Sequence, residues 1–330
     1  MVPSVILCDL GGTHLRLAVG TRCGAIYHLV RTRLTETLTD RPDATWNHLS
    51  DSIKAYSKRM ALPKLPTVLA FPGPIGQDGT PVMAPTLCGT SRHMPSKMDL
   101  ERLIGGKVYL LNDVSAAAWQ LGLSTQTRGI VVTVSSGIGA KVFDSGHSAF
   151  VIDSPEICGE IGHIIVDHSP SAPICDCGGL GHLGAIASGR GIERGARKRA
   201  RDFPTDFVQS ICAMEYGAKP DTLNNERHLI PAAARGDKWA MRVICDHTEP
   251  LARVLAVIYV TLGLSRIFIM GGFAQALGPV YQELLQQTVV DSLGINSVQT
   301  RGVIRVVDEH DEVGVRGCLA YYLKTVQGTT

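Results

Sequence analysis

The chain has 330 residues, 45% of them hydrophobic and 19% charged, with a formal net charge of +2. That length exceeds the roughly 250 to 300 residues a single hydrophobic core supports, so two domains are expected. The composition is that of a globular protein, and the near-neutral charge leaves no electrostatic footprint for nucleic acid.

No apolar run approaches the length of a membrane span, and the opening MVPSVILCDL lacks the basic flank and cleavage site of a signal peptide. Nine scattered cysteines, an odd number, argue for reduced thiols over a disulfide framework. A cytoplasmic protein is expected, with small-molecule partners and neither nucleic acid nor membrane.

In chain order, the apolar runs VILCDL, LRLAVG, AIYHLV, TVLAF and KVYLL read as strands. One helical pattern, WNHLSDSIKAYSKRMA, places Leu49, Ile53, Tyr56 and Met60 on one face. This is an α/β layout opened by antiparallel strands. GIVVTV, the turn Ser135-Ser136-Gly137-Ile138-Gly139 and AKVF repeat the theme of VILCDL, Gly-Gly-Thr and LRLAVG, which points to a duplicated fold. From residue 183 the chain turns helical, ending in a long stretch from Lys238 to Leu262 with Leu251, Val254, Leu255, Ile258 and Leu262 as its buried stripe. Pro250 is expected to kink or break that stretch. RIFIMGG is a buried strand ending at a glycine pair, VIRVV a last strand and EVGVRGCLAYYL a last helix. In the basic run, Arg190, Arg194 and Lys198 share a helical face and read as solvated, with no chemistry assigned.

Three constellations carry chemistry. Asp9 enters a Gly-Gly-Thr turn whose Gly11 and Gly12 let backbone N–H groups approach a metal-bound phosphate; an ordinary Gly-Gly hairpin is the alternative. Asp113 follows KVYLLN at a strand-to-helix junction, either as helix cap or as the base that takes a proton during phosphoryl transfer. His163, Cys175, Cys177 and His182 offer two imidazoles and two thiolates, the ligand set of a closed, structural zinc site, against incidental thiols and histidines. Glu160, three residues before His163, would be fixed by the same metal and suits sugar hydroxyls.

Taken together and in order, DLGGTHLRLA, AFPGPIGQDGTPV, LLNDVSAAA, TVSSGIGAKV, GEIGH, CDCGGLGH and IFIMGG resemble the motif series of the ROK sugar kinases, named for repressors, open reading frames and kinases. The chain is similar to the bacterial glucokinases of that group. The resemblance implies an α/β, actin-like ATPase or hexokinase-type (ribonuclease H-like) two-domain fold with a central cleft. Its small domain would be residues 1–113, completed by the C-terminal helix at about 312–330, and its large domain residues 114–311 with the zinc loop and helical part. It further implies ATP and Mg²⁺, with Asp9, Gly11, Gly12 and Thr13 as the first phosphate motif, Ser136, Gly137 and Gly139 as the second, and Gly271 and Gly272 at the adenosine. Asp113 would be the general base. Gly73, Thr86, Asn112, Glu160 and His163 would bind the acceptor with Asp113, and His163, Cys175 and Cys177 match zinc ligands. A homodimer is expected.

The departures bear on substrate. His182 stands where the family has a third cysteine, Gly184 where it has a sugar-binding glutamate, and Thr86 where it has asparagine. Lys141 follows the second turn where glycine is usual, facing either phosphate or solvent. A site lacking hydrogen-bond partners discriminates against acceptors that present the matching hydroxyls. The expected activity is therefore ATP-dependent phosphorylation of a primary hydroxyl on a hexose-like sugar or cyclitol other than plain glucose, a seven-carbon cyclitol or modified hexose included. The alternatives are a glucokinase or N-acetylhexosamine kinase proper, a non-catalytic sugar sensor, or a transcriptional regulator. The last normally carries a helix-turn-helix before the first motif, where this chain has eight residues.

Overall fold

The computed structural model describes residues 3–11, 14–33, 42–62, 64–84, 87, 94–125, 127–147, 150–155, 157–294, 302–307 and 312–328. The chain forms two compact units. The first comprises Met1–Gln126, Phe143–Cys158 and Glu309–Thr330, the second Thr127–Val142 and Gly159–Asp308.

In the first unit, β1 (Pro3–Leu10), β2 (His14–Thr21), β3 (Ile26–Arg33), β4 (Thr67–Phe71) and β5 (Val108–Asn112) form a sheet in the order β3-β2-β1-β4-β5. Short connections make β1, β2 and β3 antiparallel, whereas the longer crossovers to β4 and β5 make those strands parallel to β1. One sheet face, with Ile6, Cys8, Leu10, Leu69 and Phe71, buries the predicted stripe of Leu49, Ile53 and Tyr56 from the helix Pro42–Arg59. On the other face Val5 and Leu7 are fully buried beneath the helix Val313–Tyr321, which pairs with the helix Asp113–Leu123.

That helix pair keeps residues 113–126 in the first unit, so the unit extends past the expected boundary at residue 113. Its Trp119 packs on Phe150 with ring centroids 4.9 Å apart and on Tyr321 at 5.9 Å, which also returns the Phe143–Cys158 segment to this unit.

In the second unit β6 (Arg128–Val134), β7 (Ile138–Asp144), β8 (Arg266–Met270) and β9 (Ile304–Val306) lie in the order β7-β6-β8-β9, with β8 parallel to both β6 and β9. The helical region divides at Ser188, whose hydroxyl accepts from Gly191 N–H and starts the helix Gly189–Asp202. The helix Lys238–Leu262 runs 25 residues without a break, so the interruption expected at Pro250 does not occur. Asp246, four residues earlier, whose carbonyl proline cannot serve, is an exposed residue. Leu251 and Leu255 are fully buried and Val254 and Ile258 pack at the edge of the core, but Leu262, the last helical residue before the Gly263 cap, is 36% exposed. The basic run is ion-paired rather than simply solvated: Arg197 with Glu193, Lys198 with Asp202, Arg199 with Asp246 and Arg201 with Asp221. Among the described residues no helix is long and apolar enough to cross a membrane.

The crossing of the paired helices depends on Gly317. A Cβ there would stand 1.7 Å from the carbonyl oxygen of Ala116. Gly317→Ala should therefore destabilise the fold by about 1–3 kcal/mol, seen as a lower denaturant midpoint. An unchanged midpoint contradicts the close crossing.

Candidate active site

Chemistry in the first unit gathers at the carboxyl ends of its parallel strands, where open α/β sheets collect ligands. The register aligns Asp9 with Ala70, Ala70 with Leu111, and Phe71 with Asn112. Asp9 faces Arg16 across the β1–β2 hairpin, Nη1 to Oδ2 at 3.2 Å, both side chains 14% exposed. Its carboxylate also lies where a Cβ on Gly314 would come within 2.5 Å, at the amino end of the helix Val313–Tyr321. The carboxylate is thus set in positive surroundings, from a guanidinium and a helix terminus. Gly11 N–H donates to His14 O at 2.9 Å, so the glycine turn closes an actual hairpin; hairpin and phosphate turn are compatible readings of one segment. Gly12, Thr13 and Thr86 lie outside the described residues.

At the end of β5 the capping role belongs to Asn112. Its Oδ1 accepts from Val114 N–H at 2.9 Å and Ser115 N–H at 3.2 Å, while its Nδ2 donates to Gly73 O at 3.0 Å. Asp113 is the first residue inside the helix, and its Oδ1 shares the Val114 N–H at 2.9 Å. Two residues on, buried Ser115 donates to Asp153 Oδ1 at 2.5 Å, fixing this turn to the returning segment. The scaffold role of Asn112 was not apparent from sequence, because its partner Gly73 is 39 residues away.

In the second unit the two predicted glycine turns are neighbours. β6 ends before Ser135 and β8 before Gly271, with Thr133 and Met270 in register. Ser135 O accepts from Gly189 N–H at 2.7 Å and Ser135 N–H donates to Gly137 O at 3.0 Å, so the amino end of the helix Gly189–Asp202 abuts the turn that carries Ser136 and Gly137. Gly139 follows in β7 and Gly272 opens the helix Gly272–Leu277. This arrangement of N–H groups and a helix terminus is suited to anions.

Glu160 precedes a short 3-10 turn, Ile161–His163, which His163 closes and which is laid along β7. Ala140 N–H donates to Gly159 O at 2.8 Å; Gly159 has φ +87° and a Cβ on it would fall 1.8 Å from Ala140 O, so the approach requires glycine. Lys141 is 7% exposed, with its stem near Gly159, and so does not face solvent. Burial pushes the Glu160 carboxyl above its ordinary range, and the charges of His163 and Lys141 pull it back. Glu160 Oε2 lies 3.8 Å from His163 Nε2.

The four predicted metal ligands do converge. One ligand atom from each of His163, Cys175, Cys177 and His182 lies within 4.8 Å of the others. The His163 and His182 Nδ1 atoms are 3.4 Å apart, and Cys177 Sγ is 3.3 Å from His182 Nδ1. Edges of a tetrahedral zinc site with these donors span about 3.4 to 3.8 Å, so the donor set and spacing fit a four-coordinate, borderline-soft cation. Burial raises the Cys175 thiol above its ordinary range. Gly184 packs on the same block; a Cβ there would meet Gly162 O at 3.1 Å.

The sequence profile of the ROK family matches residues 5–325. The chain belongs to the ROK family. It is 34% identical over 320 residues to a C(7)-cyclitol 7-kinase of Streptomyces hygroscopicus subsp. limoneus, covering 93% of this chain and 90% of that protein. It is 27% identical to a glucokinase of Thermotoga maritima over 300 residues, 90% of each. Among solved structures, a ROK family glucokinase from Streptomyces griseus, in complex with glucose and AMPPNP, superposes with a TM-score of 0.74 at 21% identity, covering 96% of this chain and 97% of that one. The ROK chain thus has the actin-like ATPase α/β fold.

Asn112→Ala removes a helix cap and leaves the Gly73 carbonyl without this donor. It should cost about 1–3 kcal/mol of stability, measured by denaturant unfolding. A cost below about 0.5 kcal/mol, the low end for such caps, contradicts the double role.

Proposed function

We propose that this ROK protein is an ATP-dependent kinase that phosphorylates a primary hydroxyl of a hexose-like sugar or cyclitol, with Asp113 as general base. The observation that carries the reading is the arrangement at the end of β5: Asn112 caps the helix, and Asp113 follows as its first residue, sharing the Val114 N–H through Oδ1. There it would accept the proton of the acceptor hydroxyl as that oxygen attacks the γ-phosphorus. A new O–P bond forms, the bond to the β,γ-bridging oxygen breaks, and ADP leaves.

The turn from Gly11 to Thr13 and the turn from Ser135 to Gly139 would hold the phosphates, with Gly271 and Gly272 beside the adenosine. Asp9 is a hard oxygen donor suited to a Mg²⁺ that stays largely hydrated, and the ion would neutralise charge on the β- and γ-phosphates. Asn112 has a second Nδ2 hydrogen to offer the acceptor, whose other contacts would come from Gly73, Thr86, Glu160 and His163. His163, Cys175, Cys177 and His182 would hold Zn²⁺ with no position left for water, so the metal's contribution is to fix the acceptor wall.

The acceptor follows from what is missing. Gly184 stands at the position of the family's sugar-binding glutamate, and even a Cβ there crowds Gly162 O at 3.1 Å. A pocket without that partner disfavours glucose. The 34% identity to a C(7)-cyclitol 7-kinase supports a seven-carbon cyclitol as the acceptor class.

ADP release over a panel of sugars and cyclitols should show turnover that is greatest on a cyclitol or modified hexose. A preference for glucose overturns the acceptor assignment, and no turnover on any acceptor overturns the kinase. Asp113→Asn should lower kcat by about 10²-fold or more while leaving ATP affinity near its original value; near-normal turnover removes Asp113 from the mechanism. Metal analysis should find about one zinc per chain, and a folded, fully active, metal-free protein refutes that site.

A further inference from the structure

The basic helix that the sequence left without chemistry grips the metal loop. Asp176, between the two cysteines, accepts from Arg190 Nη1 through Oδ2 at 3.1 Å and from Arg194 Nη1 through Oδ1 at 2.9 Å. Arg190 and Arg194 are four residues apart on the helix Gly189–Asp202 and so rise from one face. The loop is closed on itself by Cys175 N–H to Gly179 O and Gly178 N–H to Cys175 O, both 2.8 Å, which puts Asp176 at its tip. The other end of the ligand set is tied to the same helical segment covalently: His182 precedes the helix Leu183–Ala187, and Ser188 joins that helix to Gly189–Asp202.

We propose that Asp176, Arg190 and Arg194 form a positioning clamp that preorganises the Cys175–Cys177 pair for metal and sets how slowly the loop releases it. The metal is the one assigned under the proposed function, and the clamp rests on that assignment. All three side chains are about half exposed. Isolated exposed ion pairs contribute little to global stability, but here both oxygens of one carboxylate are engaged by two arms of a rigid helix. The consequence is local: the tip that carries both thiolates loses its independent motion. Partners that orient ligands in this way commonly change metal affinity by about 10- to 100-fold.

The test compares zinc release from the full-length, zinc-loaded protein into excess chromophoric chelator. The variants are Asp176→Asn, the double variant Arg190→Ala with Arg194→Ala, the triple combination, and Lys198→Ala as a control on a different ion pair of the same helix. Release should be about tenfold faster or more in Asp176→Asn and in the double variant, no faster still in the triple, and unchanged in the control. Cobalt-substituted variants should keep the parent's thiolate absorption bands, showing that the ligands themselves are intact. Release within about twofold of the parent, well short of that range, overturns the clamp, as does a triple variant whose effects simply add.

Should the parent protein hold no metal, the zinc assignment fails by itself, and hydrogen exchange decides the clamp. Amides of residues 175–181 exchanging faster in metal-free Asp176→Asn than in the metal-free parent support it, and equal rates overturn it.

Discussion

The hydrogen bonds of Asn112 are the constraint on which the carboxyl end of β5 in the first unit depends. One side chain closes the first turn of the helix Asp113–Leu123 through Oδ1 and ties β5 to the loop after β4 through Nδ2. Because the cap is supplied one residue earlier, Asp113 enters the helix at its first position. There its Oδ1 also accepts from Val114 N–H. With the cap supplied by Asn112, the adjacent Asp113 is the residue proposed as the base.

The second unit meets its requirements through close backbone approach. The Glu160 turn lies against β7 because Gly159 admits the carbonyl of Ala140, and buried Lys141 then brings a cation into the surroundings of Glu160. The two histidines of the His163, Cys175, Cys177, His182 cluster belong to the same block, with His163 closing the Glu160 turn and His182 leading into the helices. The Glu160 turn, the loop of residues 175–181 and the helix Gly189–Asp202 are therefore one continuous stretch of covalent and hydrogen-bonded structure.

What was legible in the sequence was what is local or periodic. The alternating apolar runs became the strands, Leu49, Ile53 and Tyr56 became a buried stripe, and the two-histidine, two-cysteine set came together as its residue types require. What stayed hidden depends on distant partners. Asn112 as cap and tether involves Gly73, the arginines of the basic run find aspartates such as Asp176 and Asp221, and Trp119 draws residues beyond 113 into the first unit by packing on Tyr321. The break offered at Pro250 does not occur, because Leu251 and Leu255 bury on one face of a helix capped at both ends, which outweighs local helix preference. Of the two orientations open for Lys141 in the sequence, burial removes the solvent-facing one, through the covering segment at Gly159 that sequence alone does not reveal.

The most direct test of the account is a crystal structure of the protein with its preferred acceptor and a non-hydrolysable ATP analogue. The account places an Asp113 carboxylate oxygen within about 2.6–3.2 Å of the acceptor's primary hydroxyl, with Asn112 still capping the helix. A hydroxyl held by another residue, with Asp113 turned into the first helical turn in place of Asn112, would contradict it.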